Sequence, residues 1–193
     1  MKKITIEVSA RHAHLSPKHL AALFGKDYQL TNLSDLSQTG QYACKETVTI
    51  KTKGGQIENL RIIGPARSKT QVEISLTDAR KLKIMPPVRL SGDLSGSAGA
   101  TLVGPKGKVI LREGVIIAER HVHCDPATAK SLGLTNKSIL EIKVPGIRAL
   151  TFRNVPVRID SSFVYRLHLD TDEANAALID SGARGEIIKI KKK

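Results

Sequence analysis

"ITIEVSARHAHLSPKHLAALFG", Ile4 to Gly25, and "VIIAERHVHCDPATAKSLG", Val115 to Gly133, carry one pattern twice. Each opens with an alternating apolar stretch, the signature of a strand with one face buried. Each then gives Arg-His-x-His, at Arg11 to His14 and at Arg120 to His123. Each closes with the start and stop signals of a short helix. Ser16 and Asp125 fall at the N-cap, Pro17 and Pro126 at the first helical position, and Gly25 and Gly133 near the stop. Four of the chain's six histidines are spent on this frame.

The duplication extends downstream. "EISLTDA", Glu73 to Ala79, and "HLDTDEA", His168 to Ala174, both read as the end of a strand running into an acidic helix start. Aligned without gaps, Glu73 falls opposite His168. Between these points the chain reads as short strands, such as "TVTIKT", "ENLRIIG", "KVILREGVIIAE" and "LTFRNVPVRID". Gly- and Pro-bearing turns, "KGGQ", "GPAR", "GPKGK" and "VPG", separate them. The expected class is mainly β: two small β-barrel or sandwich domains capped by short α-helices, internally duplicated. The Gly/Ser-rich run Ser91 to Ala100 reads as a surface loop or lid.

Composition bounds the function. The chain has 193 residues, 40% hydrophobic and 25% charged, with 3% aromatic and no Trp, so aliphatic side chains must fill the core. No stretch approaches the roughly 20 apolar residues of a membrane span, and "KKITIEVSA" lacks the apolar run of a secretory leader. These features predict a cytoplasmic protein without a membrane partner. The net charge of +13 favours anionic ligands. Scarce aromatics and the lack of a groove-reading motif argue against nucleic acid and leave a phosphorylated small molecule. Cys44 and Cys124 form no CxxC pair and read as buried free thiols.

Residues two apart on a strand point to one side, so His-x-His presents two imidazoles to one ion. Imidazole and carboxylate suit zinc and similar divalent metals. His12 and His14 with Glu73 make one three-ligand set, and His121 and His123 with His168 a second. Three protein ligands leave a coordination position open, as catalytic sites do. Arg67, six residues before Glu73, is a candidate fork for phosphate or a surface ion pair. Arg11 and Arg120 are expected on the face opposite the histidines or toward the next strand, and His19 as ordinary surface or packing. A one-iron cupin-like oxidoreductase is a rival reading, although cupins place their Glu soon after the second His, and here none follows His14 until Glu46. A basic, non-enzymatic anion-binding module is the other rival, and it leaves the repeated histidines without purpose.

The series "SARHAHLS", "LSQTGQYACKETV", "LRIIGPARSKTQVEIS", "ERHVHCDP" and "YRLHLDTDEAN", in this order, resembles the PduL-type phosphate propanoyltransferases, zinc-dependent phosphotransacylases. The resemblance runs from about Ile4 to Ile190. It implies two zinc ions per chain, one on His12, His14 and Glu73, the other on His121, His123 and His168. It also implies phosphate on Arg67 as the catalytic arginine, and coenzyme A contacts at Ser9, Ala10, Arg11, Arg61, Ile63 and Asn175. The implied fold has crossed connectivity: residues 1–10 join 119–193 in one barrel, and 11–118 form the other. The implied reaction is reversible transfer of a short acyl group, propanoyl by family habit, between coenzyme A and phosphate. A homodimer is implied as well. Relatives packed into bacterial microcompartments often carry an N-terminal amphipathic extension, whereas Met1 to Lys3 alone precede the first strand here. The expectation is therefore a free cytoplasmic enzyme, with a microcompartment lumen, its shell and co-encapsulated enzymes as the alternative setting.

Overall fold

Both alternating stretches that precede the histidine pairs form strands, yet neither lies in the barrel of the pair it precedes. The computed structural model describes residues 2–192. Within it the chain divides into two units, one continuous, Ala10–Ala118, and one discontinuous, Met1–Ser9 with Glu119–Lys193.

In the continuous unit the short strand β2 (His12–His14) lies between β5 (Gln56–Gly64), parallel to it, and β6 (Gln71–Ile74), antiparallel to it. Strand β9 (Lys108–Ala118) runs parallel to β6, and β8 (Ala98–Val103) is antiparallel to β9. Strand β4 (Tyr42–Lys51) pairs with both β8 and β5, which closes a six-stranded barrel. Two short strands, β3 (Asn32–Asp35) on β4 and β7 (Val88–Arg89) on β9, lie outside the ring.

The discontinuous unit repeats this circuit. Strand β10 (His121–Cys124) lies between parallel β12 (Leu150–Ile159) and antiparallel β13 (Arg166–Asp170). Strand β1 (Lys2–Ser9) takes the place that β9 holds in the other barrel, parallel to β13 and antiparallel to β14 (Arg184–Lys192). Strand β11 (Ser138–Val144) joins β12 to β14 and closes the ring. Backbone detail repeats as well: Asn59 in β5 and Asn154 in β12 both sit at φ 56°, a conformation that Asn tolerates better than most side chains.

Each barrel has its own aliphatic core. Ala13, Leu15, Ile50, Leu60, Ile62 and Val72 belong to one, and Ile4, Ile6, Val122, Leu140, Ile142 and Leu167 to the other. Burying a side chain such as Leu or Ile contributes about 1.5–3 kcal/mol, so each core carries much of its unit's stability. Ala13 and Val122 stand between the paired histidines, and both are fully buried in the cores. Strand alternation then sends both members of each histidine pair to the opposite face.

Four short helices follow the strands that bear the candidate ligands: α1 (Pro17–Phe24), α2 (Leu76–Leu82), α3 (Pro126–Leu132) and α4 (Thr171–Ala177). Each starts by the same local rule. A candidate ligand (His14, Glu73, His123 or His168) is followed by one apolar residue and then by an N-cap. The caps Ser16, Ser75, Asp125 and Asp170 each accept a hydrogen bond from the backbone N–H three residues on. A cap contributes about 1 kcal/mol, and here it also fixes where each ligand-bearing strand must end. The segment from Ser91, read as a loop or lid, is tied down through Ser91, Gly92 and Ser97, and its last residues, from Ala98, enter β8.

Candidate metal centre

In the continuous unit the cross-strand register sets the first triad. His12 faces Glu73 directly across the antiparallel β2–β6 pair, and His14 lies two residues along the same face. Directly opposed residues have Cβ atoms about 4.5–5.5 Å apart, so three side chains converge without any loop to carry them. His12 Nδ1 lies 2.8 Å from the Ala10 carbonyl and His14 Nδ1 lies 3.1 Å from that of Ile63. A carbonyl can only accept, so each Nδ1 holds the proton and each Nε2 keeps its lone pair. His12 Nε2 stands 3.7 Å from Glu73 Oε2. One ligand atom from each of the three buried residues lies within 4.8 Å of the others. Burial first, then the neighbouring His12 and Arg67, pulls His14 down to about 3, so it stays neutral at physiological pH. Oriented imidazoles beside a carboxylate are a donor set that suits a divalent metal, and the triad fits one.

The groups behind this triad are specific. Gln71 Nε2 donates to Glu73 Oε1 at 2.5 Å and to Ser91 Oγ at 2.8 Å, while the Gly92 N–H donates to Gln71 Oε1 at 2.8 Å. Arg67 is pinned at its backbone, where its N–H donates to the Leu15 carbonyl at 2.9 Å. Its guanidinium donates to Ser91 Oγ at 3.3 Å and to Gln41 Oε1 at 3.4 Å. Ser91 thus links the carboxylate side of the triad to the arginine.

The second triad has the same register in the discontinuous unit. His121 faces His168 across the β10–β13 pair, with His123 two residues along. The ring centroids are 4.6 Å apart for His121 and His123, 5.1 Å for His121 and His168, and 4.5 Å for His123 and His168. His121 Nδ1 lies 2.8 Å from the Glu119 carbonyl, which again leaves Nε2 with its lone pair. His121 Nε2 and His123 Nε2 approach to 3.1 Å. Two nitrogens on one tetrahedral zinc sit roughly 3.3 Å apart, given bonds of about 2.0–2.1 Å. The His121–His123 pair comes near that spacing, and the His168 ring clusters with both. Phe163 stacks on the His123 ring at 3.7 Å.

A family model for phosphate propanoyltransferase matches residues 5–180. A phosphate propanoyltransferase from Thermotoga maritima is 49% identical over 180 residues, spanning 93% of this chain and 86% of that protein. One from Enterococcus faecalis is 47% identical, over 95% of this chain and 87% of its own length. One from Priestia megaterium is 50% identical, over 94% and 84%. The chain belongs to the phosphate propanoyltransferase family. Neither a cupin nor a bare anion-binding module accounts for that match.

The other positions that the family resemblance singles out fall at definite places. Ile63 supplies the carbonyl that orients His14, and Ala10 the one that orients His12. Arg61, which pairs with His12 across β5, donates to the Cys44 and Lys45 carbonyls at 2.8 and 2.9 Å. Ser9 ends β1, and Asn175 is exposed on α4. His19, expected as surface or packing, bonds Thr70 Oγ1 through Nδ1 at 2.8 Å beside the α1 cap. Cys44 is fully buried, and desolvation, then the charge of Glu46, pushes its thiol up to about 11.

Arg11 and Arg120 differ from expectation, since each reaches a helix start. Arg11 Nη1 lies 3.1 Å from Asp78 Oδ1, and Arg120 Nη1 lies 2.6 Å from Glu173 Oε1. The gapless alignment that puts Glu73 opposite His168 also puts Asp78 opposite Glu173, so the sequence itself carries the signal for these pairs. Gln71, Ser91 and Gln41 escaped sequence reasoning because no spacing rule links them to Glu73 or Arg67.

Proposed function

We propose that this enzyme transfers a short acyl group, propanoyl by the names of its relatives, between coenzyme A and inorganic phosphate. In the forward direction a phosphate oxygen attacks the thioester carbonyl carbon and the C–S bond breaks. Acyl phosphate and the coenzyme A thiolate result. The observation that carries the reading is the buried His12–His14–Glu73 triad with Arg67 beside it, in a chain of this family.

Two zinc ions are assigned, one to each triad. A bound zinc supplies positive charge that stabilises a thiolate at neutral pH and developing negative charge on oxygen. The protein's own groups supply position. Arg67 holds phosphate as a two-pronged donor, with Ser91 and Gln41 fixing the plane of its guanidinium. Gln71 holds the Glu73 carboxylate in its working orientation. The coenzyme A sulfur is assigned to His12, His14 and Glu73, and phosphate to Arg67; His121, His123 and His168 are assigned the second ion. Coenzyme A contacts are assigned to Ser9, Ala10, Arg11, Arg61, Ile63 and Asn175.

Direct attack by phosphate is favoured over an acyl-enzyme. Cys44 is buried, and a thiol near 11 yields almost no thiolate at pH 7. Cys44→Ser is therefore expected to keep activity within about threefold of wild type in a thiol-release assay. Loss of activity with metal content unchanged would restore the covalent route.

Among the described residues no helix is long and apolar enough to cross a membrane. The family resemblance adds a homodimer in the cytoplasm, or in a microcompartment lumen. The decisive experiment is thiol release from several acyl-CoAs, with and without phosphate and with chelator, beside metal analysis. Phosphate-dependent release that the chelator abolishes, with two zinc ions per chain, supports the reading. Phosphate-independent release would make the protein a thioesterase.

A further inference from the structure

One short ion pair occurs twice, at equivalent places in the two barrels. Arg11 stands between Ala10, whose carbonyl accepts the His12 Nδ1 proton, and His12 itself. Arg120 stands likewise between Glu119 and His121. Both Nδ1 to carbonyl distances are 2.8 Å. The arginine side chains run to the helix that follows the third ligand of their own triad. Arg11 meets Asp78 in α2, and Arg120 meets Glu173 in α4.

The acids are themselves fixed. Asp78 is buried, and its N–H donates to the Ser75 cap at 3.2 Å. Glu173 shares a reciprocal capping box with Asp170: its N–H donates to Asp170 Oδ1 at 2.8 Å, and Oε2 accepts the Asp170 N–H at 3.3 Å. Arg120 also lies over the Phe152 ring, 5.6 Å from its centroid. Each caps a chain of contacts running from the third ligand, through the helix start and the arginine, to the carbonyl that sets the first imidazole. A half-buried ion pair, whose attraction is largely offset by the cost of desolvating its charges, gives little reason by itself to build it twice. Its geometry gives a better one. Locking the residue between carbonyl and histidine locks the imidazole plane, and outer partners of this kind tune metal sites strongly.

We propose that Asp78 and Glu173 are positioning residues: through Arg11 and Arg120 they hold the His12 and His121 imidazoles in the orientation that binds metal. The proposal rests on the reading that each triad holds a metal ion.

The test is metal affinity, not turnover. Zinc binding to the full chain is measured by competition with a chromogenic chelator. The d–d absorption of the cobalt-loaded protein and the melting temperature of the metal-stripped protein are recorded beside it. Asp78→Asn and Glu173→Gln remove charge while keeping the backbone caps, since Gln also serves in a capping box. Asp78→Asn is expected to weaken one of the two binding steps by about 10–100-fold and to change the cobalt spectrum, leaving the other step intact. Glu173→Gln is expected to weaken the other step. The charge-keeping exchanges Asp78→Glu and Glu173→Asp should recover most of the affinity.

Two results overturn the proposal. One is unchanged zinc affinity and cobalt spectra in Asp78→Asn and Glu173→Gln with only the metal-free melting temperature lowered, which marks a purely structural ion pair. The other is equal weakening of both steps by either variant. A wild-type protein that binds no metal would sink the metal reading itself, and is told apart because no variant is needed to see it. Should one variant fail to fold, the other half of the duplication carries the same test.

Discussion

The two barrels share strand order, helix caps and a His-x-His pair facing a third ligand, but they differ in what surrounds that ligand. In the continuous unit the third ligand is Glu73, held by Gln71 and, through Ser91, tied to Arg67. In the discontinuous unit it is His168, and the gapless alignment puts Ser162 where Arg67 would stand. The neighbour there is Phe163, stacked on His123. A divalent ion on two imidazoles and a carboxylate keeps one net positive charge, and on three imidazoles it keeps two. Duplication has copied the scaffold, while the third ligand and its neighbours have diverged.

The largest expected effect tests whether the triads are separable. His12→Ala and His121→Ala should each remove about one zinc and lower acyl transfer by roughly three orders of magnitude or more. Loss of both ions from either variant, seen by metal analysis, would break the picture of two independent centres. Arg67→Ala comes next. Removing the Arg67 fork should cost about 100–1,000-fold in activity with the metal content kept. A similar loss in Ser162→Ala would contradict the asymmetry.

A smaller effect is set by pH, through His14. His14 is near 3 when folded and rises to its ordinary value of about 6.5 when unfolded. Above about 6.5 both states are neutral and its contribution is fully present. Below that, the unfolded chain takes a proton that the folded chain refuses. Stability should then fall by about 1.4 kcal/mol per pH unit down to about pH 3. Urea melts of metal-stripped protein check this, and His14→Gln should flatten the slope.

The smallest effect concerns helix ends. α1 and α3 stop at Gly25 and Gly133, whereas α2 and α4 stop at Lys83 and Leu178, both left-handed at φ 52° and 54°. Leu178 is exposed, so Leu178→Gly should raise stability by up to about 1 kcal/mol in thermal melts.

Much of this molecule is legible in its sequence because duplication lets each half check the other. A lone His-x-His is weak, but two with Glu73 and His168 in one register define both triads before any coordinate is known. The ligand, apolar residue and cap series was equally readable, because Ser16, Ser75, Asp125 and Asp170 are strong helix starters. Other parts were hidden for physical reasons. An alternating strand reads the same whichever barrel it enters, so only the family resemblance implied the crossing of β1. Every residue of β3 is exposed, which leaves no alternation to see, and β7 has two residues. Ser91 reaches Arg67 and Gln71 through a chain reversal that no fixed spacing encodes.

The exchange of β1 for β9 has a consequence during synthesis. Every strand of the continuous barrel lies between Ala10 and Ala118, so that barrel can close while the ribosome is still translating the rest. β1 cannot settle so early. Ile6 pairs with Leu167 and Lys2 with Ile187, so this strand waits for partners made last, on the order of ten seconds or more at ordinary translation speeds. Through that interval it is a sticky ribbon with both edges bare, and its charges at Lys2, Lys3 and Glu7 are what discourage nascent neighbours from zipping onto it.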